Sequence, residues 1–193
     1  MAASAAMKFG ILGGTFNPIH WGHLLLAETA RDQLGLDRVL FIPVHQPPHK
    51  NAKGLLPGAV RLELVQVAIR DHPAFVASDI ELQRESVSYT LNTVKVLREQ
   101  LPMAKLFLLI GQDMLAVQWK GWEEITQLCT VVVAARSGGK TRRRAGRVKA
   151  LEMPQVGISS SDIRARVAAG RSIRYLVPVA VERYIRDHQL YLK

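Results

Sequence analysis

The amino-acid sequence predicts an α/β protein, a doubly wound parallel sheet with helices on both faces. Three observations carry that expectation. Short apolar runs alternate with stretches of helical spacing along nearly the whole chain, the pattern of right-handed βαβ units. The most apolar short run, Leu106-Phe107-Leu108-Leu109-Ile110, lies between Lys105 and Gly111 without polar alternation, as a central parallel strand buried on both faces requires. The first run, Lys8-Phe9-Gly10-Ile11-Leu12, passes through Gly13-Gly14 into an apolar-rich helix. Such a strand-to-helix turn lies at the sheet edge where proteins of this class bind ligands.

Each element follows from local chemistry. The first helix carries Leu24, Leu25, Leu26, Ala27 and Ala30 and ends near Gly35, a candidate terminating glycine. Residues 38–43 read as a second buried strand, and residues 43–57 as a loop with His45, Pro47, Pro48, His49 and Lys50. Residues 60–69 form a helix with a broad apolar face, stopped by His72-Pro73. Residues 75–77 are a strand, which Ile80 and Leu82 either extend or follow as a short edge strand. Ser86-Val87-Ser88-Tyr89-Thr90 opens a helix carrying Leu91, Val94 and Leu97 until Pro102. After the central strand at 105–110 come a helix at 123–128, a buried strand at 131–135, a basic loop and a last strand at 148–153. Residues 158–169 are a helix capped by Ser159 or Ser160 and ended by Gly170, and Pro178 starts the final helix at 179–188.

The 193 residues suit one domain over 1–193, with residues 1–6 an extension expected to be disordered and 158–193 a helical C-terminal part. A hydrophobic content of 48% fits a globular chain, and no apolar run approaches the ~18 residues that span a membrane. The start lacks a basic segment followed by a long apolar core, and the lone Cys129 has no internal disulfide partner; together these point to the cytoplasm. A net charge of +10 implies anionic partners, from nucleic acid to small phosphates. The densest basic run, residues 136–149, holds seven cations and no acid, but no aromatic residue interleaves it to stack bases. Nucleic-acid binding is therefore the less favoured class, and a membrane surface is not expected.

The chemistry collects in two segments. In Gly13-Gly14-Thr15-Phe16-Asn17-Pro18-Ile19-His20-Trp21-Gly22-His23, the glycines admit a ligand to the backbone and the helix start offers unpaired N–H groups to an anion. His20 and His23, three apart, share one side of that helix start. In Ile158-Ser159-Ser160-Ser161-Asp162-Ile163-Arg164, serines at a helix start either cap it or, with an arginine one turn on, build a polyphosphate site. No dinucleotide fingerprint occurs, and Gly138-Gly139-Lys140-Thr141 lacks the first glycine of a P-loop, because position 134 is alanine.

The first segment resembles the first signature of the HxGH nucleotidylyltransferases, most closely that of the bacterial nicotinate-nucleotide adenylyltransferases. The second resembles their ISSxxIR signature, and Ile42-Pro43 through Pro47-Pro48-His49-Lys50 looks like their IPxxxPPHK loop. Ser88-Tyr89-Thr90, Gly111-Gln112-Asp113 and Val177-Pro178 through Tyr184-Ile185 match further family patterns, so the resemblance runs from Met7 to the end. It implies a Rossmann-like fold and adenylyl transfer from ATP to nicotinate mononucleotide, with Mg²⁺ held mainly through the ATP phosphates and no metal-ligating residues. His20, His23, Lys50 and Arg164 would be catalytic. Gly13, Gly14, Thr15, Phe16, Gly111 and Asp113 would contact ATP, with Ile158, Ser159 and Ser160 at its phosphates. Asn17, Lys50, Ser88, Tyr89, Thr90, Trp119, Trp122 and Arg136 would meet the mononucleotide. Read as bare residues, Asp113 fits a helix cap as well as a ribose contact, Lys50 a solvated lysine, and Ser88 and Thr90 a helix start.

Three features depart from the family pattern. Asn17 stands where Asp is frequent, Trp119 follows Gly111 by eight residues, about two sooner than usual, and the stretch 136–153 is short. The alternatives are another HxGH adenylyltransferase, using nicotinamide mononucleotide or pantetheine phosphate, and a basic nucleic-acid-binding protein. A homo-oligomer is compatible with the sequence, which does not specify the assembly.

Overall fold

Apolar residues on successive strand positions point to opposite faces, and here they divide between two cores. On β4 (Lys105–Ile110), Phe107 and Leu109 join one cluster while Leu106, Leu108 and Ile110 join the other. The computed structural model describes residues 6–46, 54–84, 87–135 and 146–192. Its strands are β1 (Lys8–Gly14), β2 (Arg38–Pro43), β3 (Phe75–Ala77), β4, β5 (Thr130–Ala135) and β6 (Val148–Glu152). They form one sheet in the order β3-β2-β1-β4-β5-β6, with every pairing parallel. The expected doubly wound parallel sheet is what the chain adopts.

Helices α1 (Trp21–Leu34), α2 (Gly58–Ile69), α5 (Ser160–Ala168) and α6 (Val179–Asp187) cover one face. Helices α3 (Thr90–Gln100) and α4 (Trp122–Leu128) cover the other. The C-terminal helices are thus part of the main core: Ile163, Val181 and Ile185 pack in the same cluster as Leu12 and Phe41. The Tyr184 hydroxyl donates to the Glu63 carboxylate and joins α6 to α2. Among the described residues no helix is long and apolar enough to cross a membrane.

Several local expectations need adjustment. The double glycine does not form the turn after the first strand; it ends the strand, with Gly13 paired to Ile42 and Gly14 to Pro43. The left-handed residue of the turn is Phe16, at φ 45°. Ile80 and Leu82 form no strand, because Asp79 draws the chain into a turn: its carbonyl accepts from Leu82 N–H (2.7 Å) and Gln83 N–H (3.1 Å). The buried residue there is the polar one, Glu81, whose carboxylate accepts from the Thr93 hydroxyl at 2.6 Å. A short 3₁₀ helix (Gln112–Ala116) follows β4 with Gly111 as its cap, so Asp113 is not the capping residue. Gly35, at φ 60°, ends α1 as expected, and Leu36 N–H closes back on the Arg31 carbonyl at 2.9 Å. Cys129 is buried on the α3/α4 face, where its thiol bonds the Ile125 carbonyl (3.3 Å) and burial pushes it up to about 12.

Ile163 is the single fully buried residue of α5. Ile163→Ala is expected to destabilise the protein by about 2–4 kcal/mol through lost burial and a residual cavity. Urea unfolding checks this, as a lowered midpoint with an unchanged slope.

Candidate active site

The strand order reverses between β1 and β4, the switch point at which an open α/β sheet leaves a crevice beyond its strand ends. Gly13 and Gly14 end β1 there, and Gly111 follows β4. A side-chain carbon placed on Gly13 would meet nothing within 4 Å, so the backbone is open to close approach. One on Gly14 would press on the Phe16 ring at 3.1 Å. That ring is wholly buried, edge-on to His23 with centroids 5.0 Å apart and 6.0 Å from Phe41. The Phe16 side chain anchors the turn in the core.

The two histidines open α1 together. The His20 N–H donates to His23 Nδ1 at 3.2 Å, which leaves the neutral His23 ring carrying its proton on Nε2. The rings stack 3.8 Å apart at 29°. Burial lowers His20 to about 4, so it is uncharged at neutral pH. Its Nδ1 is buried with no hydrogen-bond partner. The glycine between them has a steric reason: a side-chain carbon on Gly22 would sit 3.1 Å from His20 Nδ1 and Cε1.

The second signature meets the first. Ser159 caps α5 by accepting from Asp162 N–H at 3.1 Å. Ser160 Oγ donates to the Pro18 carbonyl (2.8 Å), Arg164 Nη1 to the Asn17 carbonyl (2.9 Å), and Arg164 Nη2 reaches Ser161 Oγ at 3.4 Å. Ile158, half-buried, packs against the core beneath. The N-termini of α1 and α5 are thereby joined through a single turn. Capping and tethering are what Ser159 and Ser160 do within the protein.

Asn17 is buried, and its amide is occupied by protein partners. Nδ2 donates to the Gly54 carbonyl (2.9 Å), while Oδ1 accepts from the Tyr191 hydroxyl (2.9 Å) and Leu56 N–H (3.4 Å). Within the protein this side chain braces the turn. Ser88 is also a clip: its Oγ accepts from His45 N–H (2.9 Å) and its N–H donates to the Gln46 carbonyl (3.0 Å). Tyr89 is the residue before α3 and Thr90 its first, with no acid in the first turn. Lys120 Nζ lies 4.5 Å over the Tyr89 ring. Trp119 and Trp122 meet edge to face at 5.9 Å, and Trp119 Nε1 donates to the Met114 carbonyl at 2.8 Å. Asp113 is exposed, its carboxylate leaning back over Gly111. Lys50 and Arg136 lie outside the described residues, as does most of the basic run.

Sequence reasoning missed Arg61 and Tyr191. Arg61, 1% exposed, donates from Nε to the Leu56 carbonyl (2.9 Å), from Nη1 to Thr15 (2.9 Å) and from Nη2 to His45 (3.4 Å). Its one sequence signal is a cation at helical spacing with the buried Leu64 and Val65. Tyr191, third from the end, carries no local signal. Burial holds its phenol well above the ordinary range, opposed by the charges of Arg164 and Arg61, so it stays a donor. Among the described residues no carboxylate bonds either arginine, so both bring positive charge to the turn after β1 without a paired acid.

Because His20 binds its proton less tightly folded than unfolded, the unfolded state takes up the extra proton between about pH 6.5 and 4. The stability this ring confers is complete above pH 6.5 and lost as pH falls toward 4. Chemical denaturation is expected to show wild type losing about 2–3 kcal/mol more than His20→Asn between pH 7.5 and 4.5.

Comparison with known proteins identifies the family and agrees with the fold. Residues 11–166 match the cytidylyltransferase-like family model. A protein of Exiguobacterium sibiricum, named a probable nicotinate-nucleotide adenylyltransferase, is 46% identical over 96% of this chain and 99% of its own. One of the same name from Symbiobacterium thermophilum is 41% identical over 96% of each chain. Among solved structures, nicotinic acid mononucleotide adenylyltransferase of Plasmodium falciparum, complexed with NaAD, superposes with a TM-score of 0.79 at 17% identity. It covers 96% of this chain and 97% of its own, a likeness of fold. The chain belongs to the cytidylyltransferase-like nucleotidyltransferases and, within them, to the nicotinate-nucleotide adenylyltransferase family.

Proposed function

We propose that this protein joins ATP and nicotinate mononucleotide into nicotinate adenine dinucleotide, releasing pyrophosphate. The observation that carries the reading is the cross-tie between the N-termini of α1 and α5 at the switch point of the sheet. Two helix N-termini, two stacked histidines and an arginine lie at this end of the sheet, a donor set suited to a polyphosphate. The names of the relatives point to the same reaction.

In this reaction a 5′-phosphate oxygen of the mononucleotide attacks the α-phosphorus of ATP in line. The bond from that phosphorus to the bridging oxygen breaks, and pyrophosphate leaves with the electron pair. Phosphate is already a nucleophile at neutral pH, so the protein's work is alignment and neutralisation of developing charge. His23 donates from Nε2–H, and His20, which burial keeps uncharged at neutral pH, adds a second ring nitrogen. Arg164 supplies a positive charge beside them, and Lys50 a second from its loop. Gly13 admits the nucleotide to the backbone, and Asp113 serves the ribose. Mg²⁺ on the ATP phosphates would supply further charge neutralisation. No group of three His, Cys, Asp or Glu among the described residues would cage such an ion, and the cationic and N–H donor set complements phosphate oxygens instead. The cytoplasm is the proposed compartment.

The Ser88-Tyr89-Thr90 segment meets the pyridine carboxylate. Ser88 N–H and Tyr89 N–H are bonded to the Gln46 and Val87 carbonyls, so the donors offered are those at the N-terminus of α3, whose first turn holds no acid, and Trp119 and Trp122 flank the ring. A carboxamide would turn an NH₂ donor against those donors, leaving polar groups unpaired at about 1–3 kcal/mol each. The kcat/KM for nicotinate mononucleotide is therefore expected to exceed that for the nicotinamide form by ~10³-fold at fixed ATP and Mg²⁺. Equal values, or preference for the amide, would remove the nicotinate assignment. His23→Ala is expected to lower kcat by about 10²-fold or more with little change in mononucleotide KM, read from steady-state kinetics.

A further inference from the structure

A buried arginine without a carboxylate partner is costly, since taking its charge out of water is offset here only by carbonyl dipoles. Arg61 is the largest fully buried side chain described, and it sits in the first turns of a helix whose neighbouring buried positions are Leu64 and Val65. A leucine at that position would fill an apolar helix face without that cost. The three acceptors explain the choice of side chain. Thr15 belongs to the turn after β1, His45 to the loop after β2, and Leu56 to the approach to α2. One planar fork thus ties both ends of the β2–α2 connection to the turn after β1.

Each connection leads to a group the transfer uses. Thr15 lies between Gly14 and the left-handed Phe16, two residues before Asn17, whose carbonyl receives Arg164. His45 is clipped by Ser88 and begins the loop that carries Lys50. Leu56 N–H closes on Asn17 Oδ1. On the far side the Tyr191 hydroxyl donates to the same Asn17 and lies in the field of both Arg61 and Arg164.

We propose that Arg61 is a positioning residue for adenylyl transfer, fixing the β1 turn and the β2 loop in one register so that the two substrates' phosphates align. This inference rests on the transfer reading above. Arg61 touches no substrate; it acts through the backbone of Thr15 and His45. A misplacement of the order of 1 Å at the reacting groups lowers turnover about 10²-fold while ground-state contacts survive, so the signature is a split between kcat and KM.

The test compares wild type, Arg61→Lys and Arg61→Met by kcat, both KM values and Tm, each assayed about 20 °C below its own Tm. Lysine keeps the charge but cannot reach three carbonyls. The expected result for Arg61→Lys is a folded protein with kcat down about 10²-fold and both KM values within about threefold of wild type. Arg61→Met is expected to lose at least as much turnover. A lysine variant with kcat within threefold of wild type overturns the proposal. So does activity that returns in full once temperature is lowered relative to Tm, or a failure of both variants to fold, because either reduces Arg61 to a folding requirement. An inactive wild type overturns the transfer reading and this inference with it. An active wild type with an active lysine variant overturns this inference alone.

Discussion

Arg164 Nη1 reaches back across 147 positions to the Asn17 carbonyl, and Ser160 Oγ across 142 to the Pro18 carbonyl. On these bonds the candidate site depends. Helix α5 offers the core only one fully buried side chain, so apolar packing alone leaves its rotation and translation loosely specified. The bond from the charged Arg164, worth about 1.5–3 kcal/mol, and the weaker neutral one from Ser160 supply the missing direction. They set the N-terminus of α5 beside that of α1, and the positive ends of both helices then act at one point.

The turn that receives these bonds is held in turn from below. The Phe16 ring is sunk among Gly14, His23 and Phe41, the Asn17 amide is bonded on three sides, and Arg61 holds Thr15. Few backbone positions of the turn retain freedom to drift. Rigidity of this sort suits a reaction in which the protein contributes placement and field rather than a covalent step.

Much of this was legible in the sequence, and the residues show where legibility stopped. The parallel sheet followed from β1, β2 and β4, whose apolar runs are too continuous for a half-exposed strand, and from the glycine or proline that follows α1, α2, α3 and α5. The histidine pair and the serine-arginine segment announced themselves because their spacing is local. Arg61 and Tyr191 did not, since their partners are backbone carbonyls and an amide 5 to 174 positions away, and no periodicity encodes that. The misread alternation at Ile80 and Leu82 has the same origin: a buried bond between Glu81 and Thr93 outweighs the pattern. Asn17 and Phe16 were noticed as members of a motif, but their burial, and hence their bracing work, is a property of the folded turn.

The deep placement of Cys129 has a practical consequence of its own. It is the one sulfhydryl of the chain, packed under α3 and α4 with its proton held until about pH 12. At pH 7 the reactive thiolate is then roughly one part in 10⁵. Alkylating reagents and mild oxidants find nothing to attack, and copies of the protein have no ready route to covalent crosslinking through sulfur. A cysteine introduced at an exposed position such as Met103 would be the sole site to take a maleimide fluorophore or spin label. The native chain is already the unreactive background that single-site spectroscopy ordinarily has to build.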